Sequence, residues 1–260
     1  MQRSVTYAVG DVHGRADLLE AAVAHARDDA AARGASPRFA FVGDVCDRGP
    51  HSMRCFEIVA ETLAECPGSF LVRGNHDDMF LRALGGSCES RFVAAWLGRG
   101  GVQTLESYCR GDLNGAAELV RTVYRDHLRL VEDARSIVVD GGFAYTHAGV
   151  SPLRPLEMQD PHDLMWVRDP FLGHVGYLAR VVVHGHTVVG DLPVVTENRV
   201  SIDTGAYKSG RLTVAVIDGD CLSFFQTDGC AARVNAVEAV RLDRGLGTAL
   251  DGFVRHAEAA

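Results

Sequence analysis

Over the first 76 residues, short apolar runs alternate with longer amphipathic stretches, and each run ends at a glycine-led polar cluster. Val5 to Val9 reads as a buried strand. From Ala16 to Arg33, the residues Leu18, Leu19, Ala22, Val23 and Ala26 fall on one helical face, with Gly34 as the stop. Phe39 to Val42 reads as a second strand. Met53 to Cys66 reads as a helix carrying Phe56, Ile58, Val59 and Leu63, closed by Pro67-Gly68, and Phe70 to Val72 as a third strand. Such alternation predicts a parallel sheet with right-handed crossovers and ligands at the carboxyl ends of its strands.

The texture then changes twice. Residues 77–132 are helical and polar, broken at Gly85-Gly86, Gly98 to Gly101 and Gly111 to Gly115, and read as a helical insertion or cap. After them, Ser136 to Val139 and Phe143 to Thr146 flank Asp140-Gly141-Gly142, a hairpin signal. Arg180 to Val183, Val194-Val195, Val200 to Ile202, Leu212 to Ile217 and Leu222 to Phe225 continue as short strands, the last two joined by Asp218-Gly219-Asp220. These later strands predict a second, mixed sheet facing the first, with helices outside. The fold class is α/β (α+β in some schemes): a four-layer α-β-β-α sandwich over residues 1–238, followed by a tail, 239–260, read as helical.

A chain of 260 residues with 47% apolar and 23% charged residues can bury one substantial core. Its net charge of -8 offers no footprint for a nucleic-acid backbone. Neither a membrane-length apolar run nor a leader pattern is found, and the seven scattered cysteines form no C-x-x-C pair. Reduced thiols in a cytoplasm are the expectation. Lys208 is the sole lysine and no Walker A loop exists, which excludes a P-loop nucleotidase. No cysteine precedes an arginine by six positions, so thiolate phosphatase chemistry is excluded as well.

What the strand ends carry decides the chemistry. Asp11 and His13 sit two positions apart in Gly10 to Gly14 and can converge on one ion. Asp44 holds the matching position after the second strand, where one carboxylate can bridge two cations. Asp47 and Arg48 follow it, and an arginine fork there can hold two phosphoryl oxygens. Asn75 offers a hard amide oxygen, leaving the imidazole of His76 free to face a leaving group. His147 and the pair His184-Gly185-His186 add imidazoles after two later strands, with one of the pair expected to be a ligand.

The ordered motifs GDVHG, GDVCDRG, GNHD, HAG and HGHT span roughly residues 5–217. In them the chain resembles the phosphoprotein phosphatase family of binuclear metallophosphoesterases, in its bacterial and phage-type branch. The resemblance implies a β-sandwich with helices on both outer faces. It implies one divalent metal on Asp11, His13 and Asp44, and a second on Asp44, Asn75, His147 and His186. His76 corresponds to the general acid, supported by Asp47, while Arg48, Arg168 and Asn75 hold the substrate phosphate. Manganese is the implied ion, with iron or zinc also suited to oxygen and nitrogen ligation.

The implied reaction is in-line attack on phosphorus by water activated between the two ions, with phosphoserine or phosphothreonine proteins and peptides as substrates. No nucleic-acid or membrane partner is expected. Cys46, the Ala148-Gly149 pair after His147 and the absence of a C-terminal tyrosine-bearing segment depart from eukaryotic members, so no eukaryotic-type regulatory subunit is expected either. The alternative on the same metal frame is a symmetrical diadenosine tetraphosphate hydrolase or another nucleotide phosphoesterase. Asp47 and the short 36-residue interval between His147 and His184 count against the symmetrical enzyme. A non-catalytic metal-binding scaffold would require a missing ligand or acid, and none is missing.

Overall fold

The computed structural model describes residues 3–86, 89–229 and 233–241. The chain opens with β1 (Ser4–Val9), α1 (Ala16–Ala32), β2 (Ser36–Phe41), α2 (Ser52–Glu65) and β3 (Phe70–Leu71). A helical stretch follows: α3 (Asn75–Leu84), α4 (Ser90–Trp96), α5 (Val102–Tyr108), α6 (Leu113–Thr122) and α7 (Arg125–Glu132), with a π-helical turn at Leu97–Gly101. Next come β4 (Ile137–Asp140), β5 (Phe143–Thr146), α8 (Pro161–Trp166), α9 (Asp169–Leu172), β6 (Val181–His184), β7 (Val194–Val195) and β8 (Arg199–Ser201). A short α10 (Ala206–Ser209) leads into β9 (Arg211–Asp218), β10 (Cys221–Asp228), β11 (Arg233–Val237) and β12 (Val240–Arg241).

Two six-stranded mixed sheets result, ordered β11-β10-β9-β1-β2-β3 and β12-β7-β8-β6-β5-β4. The parallel run β1-β2-β3 matches the strand–helix alternation. The placement of the last hairpin does not match expectation. Its strands β9 and β10 join the first sheet, with β9 antiparallel to the free edge of β1. The reason lies in their two apolar faces. Leu212, Val214 and Val216 meet the core beneath α1 and α2, whereas Ala215 and Ile217 enter the core between the sheets. A strand buried on both faces belongs inside a covered sheet, and β1 was the edge to cover.

Three apolar cores define the four layers. One lies between the first sheet and its helices, one between the sheets, and a smaller one, with Phe171, Val182 and Leu164, under α8 and α9. Residues of the 77–132 stretch, among them Trp96, Leu105, Val120 and Val131, are buried in the first of these. They extend the helical layer. At the other end, Val240 and Arg241 pair with β7 as a strand instead of starting a helix, and the rest of the 239–260 tail lies outside the described residues. No helix among the described residues is long and apolar enough to cross a membrane. Cys46, Cys55, Cys66, Cys109 and Cys221 are free thiols.

Candidate active site

Each candidate side chain except Arg168, which lies between α8 and α9, stands where a strand releases the chain. Asp11 and His13 follow β1, while Asp44, Asp47 and Arg48 follow β2. Asn75 and His76 open α3 directly after β3, His147 follows β5, and His186 follows β6. Among the described residues, the non-glycine positions with positive φ are His13, Asp44, Asp47, Arg48 and His186. All five were singled out from sequence. Backbone of this kind costs about 1–3 kcal/mol per residue and persists only where the surroundings over-determine it.

Asp44 lies at the centre. Its carboxylate is 3.4 Å from His13 Nε2 and 3.4 Å from His147 Nε2, and it accepts the His76 backbone N–H at 2.9 Å. The Nδ1 atoms of His13 and His147 lie 2.8 Å from the carbonyls of Cys46 and Val42. A carbonyl only accepts, so each ring carries its proton on Nδ1 and turns the Nε2 lone pair inward. Burial, the largest influence on both, pushes His13 down to about 3 and lowers His147. Burial would raise Asp44, but its electrostatic interactions with the His147, His76 and His13 imidazoles hold it well below the usual carboxylate range. Asp11 is pushed well up by burial and by the nearby carboxylates Asp203 and Asp44.

Two donor groups compact enough for a cation share Asp44: His13, Asp44 and His76, and Asp44, His147 and His186. Asn75 joins the second, its Oδ1 lying 2.8 Å from His147 Nε2 and 2.9 Å from His186 Nδ1. With the proton of His147 committed to Val42, the amide oxygen and Nε2 face each other as two acceptors. A cation between them resolves that conflict. Oxygen and imidazole donors without thiolate suit manganese, iron or zinc, so the residues present fit divalent metal. Asp11 stands outside both groups, its carboxylate accepting the His186 N–H at 3.0 Å. His184 stands outside both groups, buried, bonded to Ser201 Oγ at 2.8 Å and stacked edge-on against Phe171.

A cleft of about 880 Å³ opens over these groups, lined by Arg48, Arg99, Arg168, Asn75, His76, Trp166, His186 and Tyr207 among others. Arg48 bridges both sides of the centre, with Nη1 2.7 Å from His13 Nε2 and Nη2 2.7 Å from His76 Nε2. Its guanidinium rests over the Tyr207 ring, 4.8 Å from the centroid. Arg168 Nε reaches His186 Nε2 at 3.3 Å. His76 Nδ1 lies 2.8 Å from Asp47 Oδ2, and Asp47 is fully buried. Burial lowers the His76 pKa, yet the charge of Asp44 and the bond and charge of Asp47 outweigh it and the net shift is upward.

Sequence reasoning assigned no individual role to Trp96, Arg99, Thr104, Asp77, Asp203 or Tyr207. Asp77 accepts N–H bonds from Val45 and Gly74 at 2.9 and 3.1 Å and so ties the third loop to the second. For Trp96, Arg99 and Thr104 the available signal was the pair Gly100-Gly101 between a tryptophan and a threonine, read only as a helix break.

The two-sheet sandwich and the two candidate donor groups that share Asp44 fit a metal-dependent phosphoesterase. The chain belongs to the calcineurin-like phosphoesterase family, which matches residues 5–198. It is 28% identical over 200 residues to the asymmetrical bis(5'-nucleosyl)-tetraphosphatase PrpE of Bacillus cereus, covering 68% of this chain and 74% of that one. In another strain of that species the likeness extends over 233 residues at 27% identity, 79% of this chain and 87% of the relative. Among solved structures, a putative diadenosine tetraphosphatase superposes with a TM-score of 0.59 at 19% identity, covering 92% of this chain and 99% of that chain. A protein serine/threonine phosphatase of Saccharomyces cerevisiae shares the fold with a TM-score of 0.54 at 14% identity, covering 92% and 81%.

Proposed function

We propose that this chain hydrolyses bis(5'-nucleosyl) tetraphosphates, with asymmetric cleavage, in a cytoplasmic setting that suits its free thiols. One observation carries the reading: the cleft over the ligand cluster gathers three arginines, Arg48, Arg99 and Arg168, with two aromatic rings, Trp166 and Tyr207. A lone phosphoryl group is satisfied by one or two guanidinium forks, whereas a polyphosphate chain needs positive charge along its length. Aromatic rings beside it give a nucleobase a stacking surface. The named relatives support the same substrate class.

His13 and Asp44, with Asp11 as the third ligand that the motif resemblance implies although it stands outside the compact donor group, would hold one divalent cation, and Asp44, Asn75, His147 and His186 a second, manganese being the proposed ion. When bound, the pair supplies Lewis-acid screening of phosphoryl charge and acidifies water for attack on phosphorus. The chain's own side chains do the rest. Arg48 and Arg168 orient the phosphoryl oxygens, and the amide of Asn75 faces them. His76, held through Nδ1 by Asp47, would protonate the departing oxygen from Nε2 once bound substrate draws off Arg48, which donates to that nitrogen at 2.7 Å here.

One feature favours a second reading, a protein phosphatase acting on phosphoserine or phosphothreonine. The buried Asp47–His76 pair serves a poor alkoxide leaving group better than a nucleotide, whose departing phosphate oxygen is far more acidic. The deciding measurement is manganese-dependent kcat/KM on diadenosine tetraphosphate, a phosphothreonine peptide and a phosphotyrosine peptide, with nucleotide products resolved by chromatography. Preference for the dinucleotide with ATP and AMP as products is expected. Preference for a phosphopeptide overturns the substrate class, and ADP as sole product overturns the asymmetric cleavage.

A further inference from the structure

Asp47 is held from a second direction, by residues about fifty positions further along the chain. Its Oδ1 accepts from Thr104 Oγ1 at 2.6 Å, and the indole N–H of Trp96 reaches Oδ1 and Oδ2 at 3.1 and 3.0 Å. The donor directions are determined. A carboxylate accepts only, so the Thr104 hydroxyl gives its one proton to Asp47. That oxygen then accepts the Asp47 backbone N–H at 2.9 Å and faces Ser52 Oγ at 3.1 Å, which supplies the matching proton. Trp96, Thr104 and Ser52 are all fully buried.

The neighbouring Arg48 is seated by the same segment. Its backbone N–H donates to the Gly100 carbonyl at 3.3 Å. Gly100 has φ +118°, and a β-carbon there would lie 2.5 Å from the Arg48 nitrogen. The π-helical turn Leu97–Gly101 therefore brings two backbones into contact at the loop bearing both Asp47 and Arg48.

We infer that Trp96 and Thr104 are positioning residues: they orient the Asp47 carboxylate so that its remaining direction holds His76 Nδ1 and turns Nε2, which meets Arg48 here, toward the cleft from which the leaving group departs. The helical stretch after β3 is thereby part of the proton-delivery apparatus as well as an outer layer. A carboxylate with free rotation could accept from His76 through either oxygen and would let the ring swing. With Thr104 on one oxygen and the indole spanning both, one arrangement is left. The inference rests on His76 being the proton donor, and it holds for a phosphate ester or an anhydride substrate alike.

The experiment compares phenyl phosphate, whose leaving group needs the proton, with p-nitrophenyl phosphate, whose leaving group needs it far less. The manganese-loaded variants are Thr104→Val, Thr104→Ser, Trp96→Phe and, as reference, His76→Asn. Thr104→Val and Trp96→Phe should each lower kcat on phenyl phosphate about tenfold more than on p-nitrophenyl phosphate, with little change in KM. Thr104→Ser, which keeps the hydroxyl, should restore the wild-type ratio. If His76→Asn is selective but Thr104→Val and Trp96→Phe slow both substrates equally or neither, the positioning role is refuted. If His76→Asn itself shows no selectivity, the proton-donor assignment falls and this role falls with it.

Discussion

Replacing Gly43 with alanine should separate loss of catalysis from loss of fold, because Gly43 is where the second and third site loops touch. Gly43 has φ +98°, and an alanine β-carbon would lie 2.5 Å from the Gly74 nitrogen and 2.7 Å from its Cα. Ordinary contact requires the two backbones to part by about 1 Å, and misplacement on that scale costs about 100-fold in rate. Asp44 and the Asn75–His76 pair sit next to these two glycines, so their spacing changes directly. The bond from the His76 amide to Asp44 Oδ1, now 2.9 Å, is the first contact to lengthen. The φ value adds about 1–3 kcal/mol of backbone strain, which a domain of this size survives. Steady-state kinetics with p-nitrophenyl phosphate and manganese, alongside urea unfolding, give both numbers. Gly43→Ala should remain folded, with kcat down about 100-fold. Wild-type turnover in a variant destabilised by the stated amount would refute the claim that this contact sets the ligand spacing.

Two further outcomes follow from the same geometry. Asp44→Asn leaves one carbonyl oxygen where a carboxylate served both donor groups, so calorimetric manganese stoichiometry should fall from two per chain to one and turnover by at least about 100-fold; two tightly bound ions would contradict the shared-carboxylate assignment. His127, buried with Nδ1 2.7 Å from Tyr108 Oη, has its pKa lowered by burial, against smaller opposing pulls from Glu57 and Asp126. The unfolded chain therefore binds a proton that the folded one refuses, and stability is lost as pH falls below the ordinary histidine value, by up to about 1.4 kcal/mol per pH unit. In metal-free protein, His127→Gln should flatten the dependence of unfolding free energy on pH between 7 and 5 relative to wild type; an unchanged slope would show that His127 protonates freely in the fold.

The candidate residues that the structure brings together were legible because they are local. A buried strand followed by a glycine turn announces itself within ten residues, and Asp11, His13, Asp44, Asn75 and His76 occupy such turns. Strand–helix alternation likewise declared the parallel run from β1 to β3. The second sheet's membership was not legible. β9 is apolar on both faces, and its pattern is equally consistent with any covered position until the unsatisfied edge of β1 is known. Val240–Arg241 pairs with β7 for a similar reason: two residues carry no period, and only the neighbouring edge makes them a strand.

Residue types, their order and the presence of metal-suited oxygen and nitrogen donors at strand ends were thus determined by the amino-acid sequence itself. The folded arrangement decided the rest. Backbone carbonyls of Cys46 and Val42 select which imidazole nitrogen faces Asp44. Trp96 and Thr104 reach Asp47 across 49 and 57 residues, and Tyr207 arrives beneath Arg48 from α10. Periodicity and turn chemistry act between neighbours in the chain and can be read along it. Hydrogen-bond direction and side-chain aim depend on partners that only packing brings within 3 Å.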